Sequence, residues 1–172
     1  MSKIKIGQSS SRLIPSESNN ELYAATLALA DEAGLYDDAF SEMVGLFLLG
    51  KKPSWVGGMR DITTGNKFVA HSQMKLPPLE MIPAECLDMC KPFGGFGAKY
   101  MLSNGRQYTV GNCWEFKAYV NLKILNPSLR PDQVRFTESF RPRMIDTFEG
   151  PCEICQSMFG RDALILPNPH KR

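Results

Sequence analysis

The sequence has no long hydrophobic run. Its longest apolar stretch, Met43 to Leu49, contains a glycine and is far too short to cross a bilayer. Nor does the opening, Met1 to Ile6, provide an apolar core followed by a small-residue cleavage site, so no signal peptide is expected. A cytoplasmic protein with no membrane partner is the expectation. No internal repeat is visible, and charge of one sign is not in excess, since the net charge is only +2. Cysteine is scarce and odd in number, with five residues: Cys86, Cys90, Cys113, Cys152 and Cys155. An odd count without a secretory leader argues against a disulfide framework and for reduced thiols or a metal.

What is present suits one domain of ordinary size. The chain has 172 residues, 43% hydrophobic and 22% charged, which excludes a disordered tail, a collagen-like fibre and a disulfide miniprotein. The small net charge hides an asymmetry. Residues 1–90 carry 8 basic and 11 acidic side chains, whereas residues 91–172 carry 12 and 7. The C-terminal half is thus the basic one, a bias that favours an anionic ligand.

Residues 1–18 read as a loose lead-in and 19–172 as a single domain. Asn19 and Asn20 are candidate caps for a helix ending near Gly34. A second helical stretch starts at Asp37-Asp38, whose charges suit a helix N-terminus, and stops at Gly50. The pair predicts a helical hairpin or one broken helix. Strands are expected over 55–61 and 67–72, around the turn Thr63-Thr64-Gly65-Asn66. A long irregular insert follows, about 73–107, holding Pro77, Pro78, Pro83, Pro92 and the Gly94–Gly97 patch, with one helical turn near Cys86. A helix from Cys113 to Leu125 bears apolar residues on two faces and predicts burial against a sheet. Asn126-Pro127 ends it. A strand over Val134 to Phe140, a short helix over Pro151 to Phe159 and a strand over Ala163 to Leu166 complete the chain. Strands alternating with helices predict a three-layer α/β/α domain with a mixed sheet.

Both later helices open on cysteine: Asn112-Cys113-Trp114-Glu115 and Pro151-Cys152-Glu153-Ile154-Cys155. A helix N-terminus favours the thiolate that binds metal. Three thiolates meeting from two helix ends would fill three of zinc's four positions and leave one for water. Glu115, in the first turn, could reach that water and carry its proton.

Cys-x-Glu followed by Pro-Cys-x-x-Cys resembles the signature of the cytidine deaminase-like superfamily of zinc-dependent nucleobase deaminases. Within it, the words around Asn112–Tyr119 are most similar to bacterial polymorphic-toxin and effector deaminases. The resemblance covers about residues 55–167. It implies Zn2+ on Cys113, Cys152 and Cys155, Glu115 as proton shuttle and Pro151 shaping the helix start. It also implies a cytidine deaminase-like sandwich, here reduced at its C-terminal edge. The implied reaction replaces the amine of a base, most readily cytosine, with a carbonyl in DNA or RNA. The alternatives are the same chemistry on free nucleosides or nucleotides, and a non-catalytic module stapled by zinc. A toxin would add delivery into a target cell and an inhibitory partner protein.

Three thiolates on Zn2+ leave a net negative site that needs nearby cations. Arg141 and Arg143 are placed for this, or for a phosphate. His71, at the end of a hairpin strand, is a candidate substrate contact, and so is Trp114, although its helical stripe fits core packing. Phe93, Phe96 and Tyr100 are either base-stacking groups or anchors of the insert. Cys86 and Cys90 read as structural thiols, with a second metal site as the lesser reading.

Overall fold

The computed structural model describes the backbone of residues 17–51, 55–141, 144–160 and 165–169, and the side chains of these outside 17–32 and 144–148. The expected lead-in, apart from its last two residues, together with Arg143 and positions 163 and 164 of the last expected strand, lies outside the described residues. The chain divides into two compact units, Met1–Glu32 and Ala33–Arg172. The first unit contributes helical backbone from Glu17 onward, and everything below concerns the second.

Helix α1 spans Glu17–Leu48 without the break expected at Gly34. A glycine inside a helix costs about 1 kcal/mol against alanine. That local cost is outweighed by burying Leu35, Tyr36, Ala39 and Met43, which follow at helical spacing and are almost wholly inaccessible. The hairpin strands β1 (Val56–Asp61) and β2 (Lys67–His71) form as expected. In their turn, Asp61 Oδ1 accepts hydrogen bonds from the Thr63 N–H at 2.7 Å and the Thr63 hydroxyl at 2.6 Å.

The insert is more ordered than its proline and glycine content predicts. It holds helix α2 (Ala84–Cys90) and an antiparallel hairpin, β3 (Lys99–Met101) and β4 (Gln107–Thr109). Helix α3 (Trp114–Leu125) begins after Cys113, its N-cap. The strand expected over 134–140 is interrupted: β5 (Val134–Phe136) and β6 (Ser139–Arg141) both run beside β1. Thr137 repairs the interruption. Its N–H donates to Gly58 O at 2.9 Å, and its hydroxyl accepts from Gly58 N at 3.1 Å. Strand β7 (Met144–Glu149) returns antiparallel to β6, an element the sequence pattern does not signal. Helix α4 (Glu153–Phe159) follows its N-cap Cys152.

The main sheet runs β2-β1-β6-β7, with β5 also paired to β1. Those pairings are all antiparallel, where the alternation of strands and helices predicts a mixed sheet; one isolated parallel bridge, Phe136 to Ile165, lies outside the named strands. Side-chain alternation assigns its two faces. Val56 and Phe140 pack with Leu35, Tyr36 and Met43 of α1. Met59, Ala70 and Phe136 pack with Trp114, Ala118 and Leu122 of α3. Adjacent glycines in β1 let both helices come close. A Cβ on Gly57 would overlap the Trp114 ring, and one on Gly58 would meet Leu35 Cδ1 at 2.7 Å. The result is a mixed α/β unit with a helix on each face of the sheet.

Candidate metal centre

Cys113 and Cys152 are both N-caps in extended conformation, with ψ 148 and 171°. Neither side chain makes a cap hydrogen bond, so each sulfur projects from a helix start without closing it. Cys155 lies one turn into α4 and is fully buried. The three sulfurs lie within 4.8 Å of one another, and Cys113 Sγ is 3.6 Å from Cys152 Sγ. Four ligands about 2.3 Å from a tetrahedral centre stand about 3.8 Å apart, so the spacing fits a metal ion with little movement. Among the described residues this is the one cluster of metal-ligating side chains.

The thiols do not share charge equally. Hydrogen bonds from Cys113 and Cys155, then from the backbone N–H groups of Cys155 and Ile154, hold Cys152 well below the ordinary thiol range. Cys113 and Cys155 are raised in turn, by their hydrogen bonds within the cluster and by burial. The position of Cys152 is set by the start of α4. Gln156 braces that start, donating from Nε2 to Pro151 O at 2.9 Å.

Glu115 is buried, two residues past Cys113, and lines the same cavity. Burial pushes its carboxyl up to about 8, with the Cys152 charge adding to the effect. A carboxyl in that range can both give and take a proton near neutrality. Trp114, between the two, turns into the sheet. Its Nε1 donates to Ser139 Oγ at 2.8 Å, and its ring is buried against Phe136 at 6.2 Å in edge contact. Although Trp114 touches the cavity wall, most of it is core, and it locks the first turn of α3 in register.

The cavity above this floor encloses about 610 Å³, within the range of small-molecule sites. Arg141 lines it, stacked 4.2 Å from the centre of the Trp55 ring. His71 does not line it. It pairs with Val56 on the α1 face, and the next residue, Ser72, is the one that reaches the cavity. A strand alternates faces at every residue, so a one-residue difference decides the side. The same parity places Trp55, Ser139 and Arg141 on the α3 face, a signal the sequence carries once Trp114 is known to face Gly57.

Lys117 is a buried cation that sequence reasoning missed. Its Nζ donates to Ser72 O and, at 3.1 Å, to Asn112 Oδ1. Burial lowers its proton affinity, while Cys113 raises it. It thus supplies positive charge beside the cluster, the role the sequence pattern assigns to Arg141 and Arg143. The insert aromatics do not line the cavity. Phe93 and Tyr100 meet edge-on at 5.2 Å, and Phe96 lies against Phe116 at 6.0 Å. Cys86 and Cys90 are buried away from the cluster, and burial raises their thiols to about 12 and about 11. They are core groups and poor metal ligands. Compared with known proteins, the chain matches no protein-family model, no curated protein and no solved structure.

Proposed function

We propose that this chain is a zinc-dependent hydrolase that deaminates a nucleobase, cytosine first, within DNA or RNA. The observation that carries the reading is the meeting of the Cys113, Cys152 and Cys155 sulfurs beside a cavity that Cys113, Cys152 and Glu115 line. The fold is compatible with a cytidine deaminase-like sandwich: an antiparallel hairpin, a helix on each face, and a parallel bridge at the reduced edge. Zinc held there would leave one tetrahedral position for water and lower that water's pKa toward neutrality. Glu115 then moves the protons. Its carboxylate takes one from the attacking water and passes it to the ring nitrogen. It carries the second to the departing amine, so that water enters C4 and ammonia leaves. Ser72 and Ser139 offer hydroxyls to the wall, and Lys117 offsets the sulfur charge.

The test is Glu115→Gln. We expect the variant to keep one zinc per chain and to lose ammonia release, with a fall of about 10²-fold or more. Mass spectrometry of nucleosides and oligonucleotides would follow a gain of about one mass unit in the parent protein, as an amine becomes a carbonyl. A parent that loads zinc but converts neither nucleosides nor strands would favour a structural staple.

A further inference from the structure

We propose that Arg141, held over the Trp55 ring, is the seat for a phosphate group adjoining the base that enters the cavity. The inference deepens the deaminase reading and rests on it. It makes the substrate a nucleotide unit, alone or in a strand, in preference to a free nucleoside.

The placement follows from the sheet. Phe140 is committed to the α1 face, so Ser139 and Arg141 fall on the other. The pairing of β6 with β7 shifts register between Phe140 and Arg141. The residues skipped lie in β7, where Phe148 and Met144 pair with the consecutive Phe140 and Arg141, so the alternation of β6 carries through. Arg141 therefore lines the wall of the cavity whose floor carries Cys113, Cys152 and Glu115.

A cation over an aromatic face is held by the ring's charge distribution. The Arg141 Cζ lies 4.2 Å from the Trp55 ring centre. The contact limits where the guanidinium sits, and its planar fork of five N–H donors is suited to pairs of acceptor oxygens. Arg141 Nε is buried and donates to no acceptor among the described residues. The guanidinium as a whole makes no hydrogen bond among the described residues, so its terminal N–H donors are open to an acceptor in the cavity that Arg141 lines. The carboxylates of the cavity do not supply it. Among the described residues Arg141 forms no ion pair, and Glu153 Oε1 is taken by the Ser103 N–H at 2.6 Å and hydroxyl at 2.7 Å. A planar fork with a free edge matches two phosphate oxygens. The cavity, at about 610 Å³, has room for a base and its sugar phosphate together.

The experiment uses zinc-loaded full-length protein and a fluorescein-labelled single-stranded oligonucleotide, in DNA and RNA forms. Binding is read by anisotropy across a salt series, with dCMP and deoxycytidine as competitors. In the parent, dCMP should compete about tenfold better than deoxycytidine. In Arg141→Gln that preference should vanish while deoxycytidine competes as before, and the strand's salt slope should fall by about 0.7. Arg141→Lys keeps the charge and loses the fork, so it should restore the slope but not the full affinity. Equal melting temperatures and zinc content would exclude misfolding as the cause. Arg141 dependence for dCMP and strand alike, or for strand alone, supports the site, and the second pattern names the polymer as its source. Equal weakening of dCMP and deoxycytidine, or no change in either the preference or the slope, overturns it. Phosphate-dependent binding with no deaminated product would sink the deaminase reading and leave the anion seat standing.

Discussion

Asp61 offers a stability prediction that can be worked from geometry. It is fully buried at the end of β1 and joins two parts of the unit. Burial alone would raise its carboxyl. The hydrogen bonds from the Thr63 hydroxyl, the Asn126 amide and the Thr63 N–H outweigh that and hold it at about 2, against an ordinary 3.8. The Asn126 bond, Nδ2 to Oδ2 at 2.9 Å, ties the hairpin turn to the C-cap of α3. A carboxylate depressed on folding stabilises the fold above its unfolded pKa, and the benefit disappears as pH falls through the folded one. The shift corresponds to about 2–3 kcal/mol, complete above pH of about 5 and lost toward pH of about 2. Asp61→Asn keeps the shape and one acceptor but not the charge. It should cost about 2 kcal/mol at neutral pH, and the gap to the parent should close as pH drops from about 5 to about 2. Urea unfolding of both proteins across that window measures it. A gap below about 0.5 kcal/mol at neutrality, or one that persists unchanged into acid, would refute the assignment of stability to the ionised carboxylate.

The remaining expectations concern packing and metal. Gly57→Ala forces a methyl into the Trp114 ring, so it should destabilise by about 1–3 kcal/mol and lower the zinc retained per chain. Gly45→Ala, a control in open space on α1, should stabilise by about 0.5–1 kcal/mol in the same thermal scan. Zinc added to metal-stripped protein should stabilise it by about 4 kcal/mol at a thousand times the dissociation constant, raising the melting temperature. Cys155→Ser should abolish that gain. A gain that survives the substitution would place the ion elsewhere.

The parts of this molecule legible in its sequence are those written in short-range chemistry. The β1–β2 turn announces itself through Thr-Thr-Gly-Asn, α3 and α4 through cysteine caps, and the sulfur cluster through its spacing. Features that depend on partners far along the chain were not legible. Gly34 looks like a helix end until the burial of Leu35 and Tyr36 against the sheet is known. The β3–β4 hairpin hides among prolines and glycines because its order comes from Tyr100 meeting Phe93 and from Ser103 bonding Glu153. Lys117 reads as surface charge, since nothing local reveals that Ser72 and Asn112 will accept its protons. His71 and Ser72 differ only in which side of a pleat they take. Arg141 and Trp55, far apart along the chain, meet only in the folded state.

The indole of Trp114, seated in the notch at Gly57, binds the reactive end of α3 to the middle of the sheet. Its neighbours on either side are Cys113, with its cluster sulfur, and Glu115, with its cavity-lining carboxylate. Positions 57 and 114 consequently cannot drift independently: a bulkier residue in the strand demands a slimmer ring in the helix. Because Cys113 and Glu115 flank that indole, the fit at Gly57 bears on the placement of the sulfur and the carboxylate together.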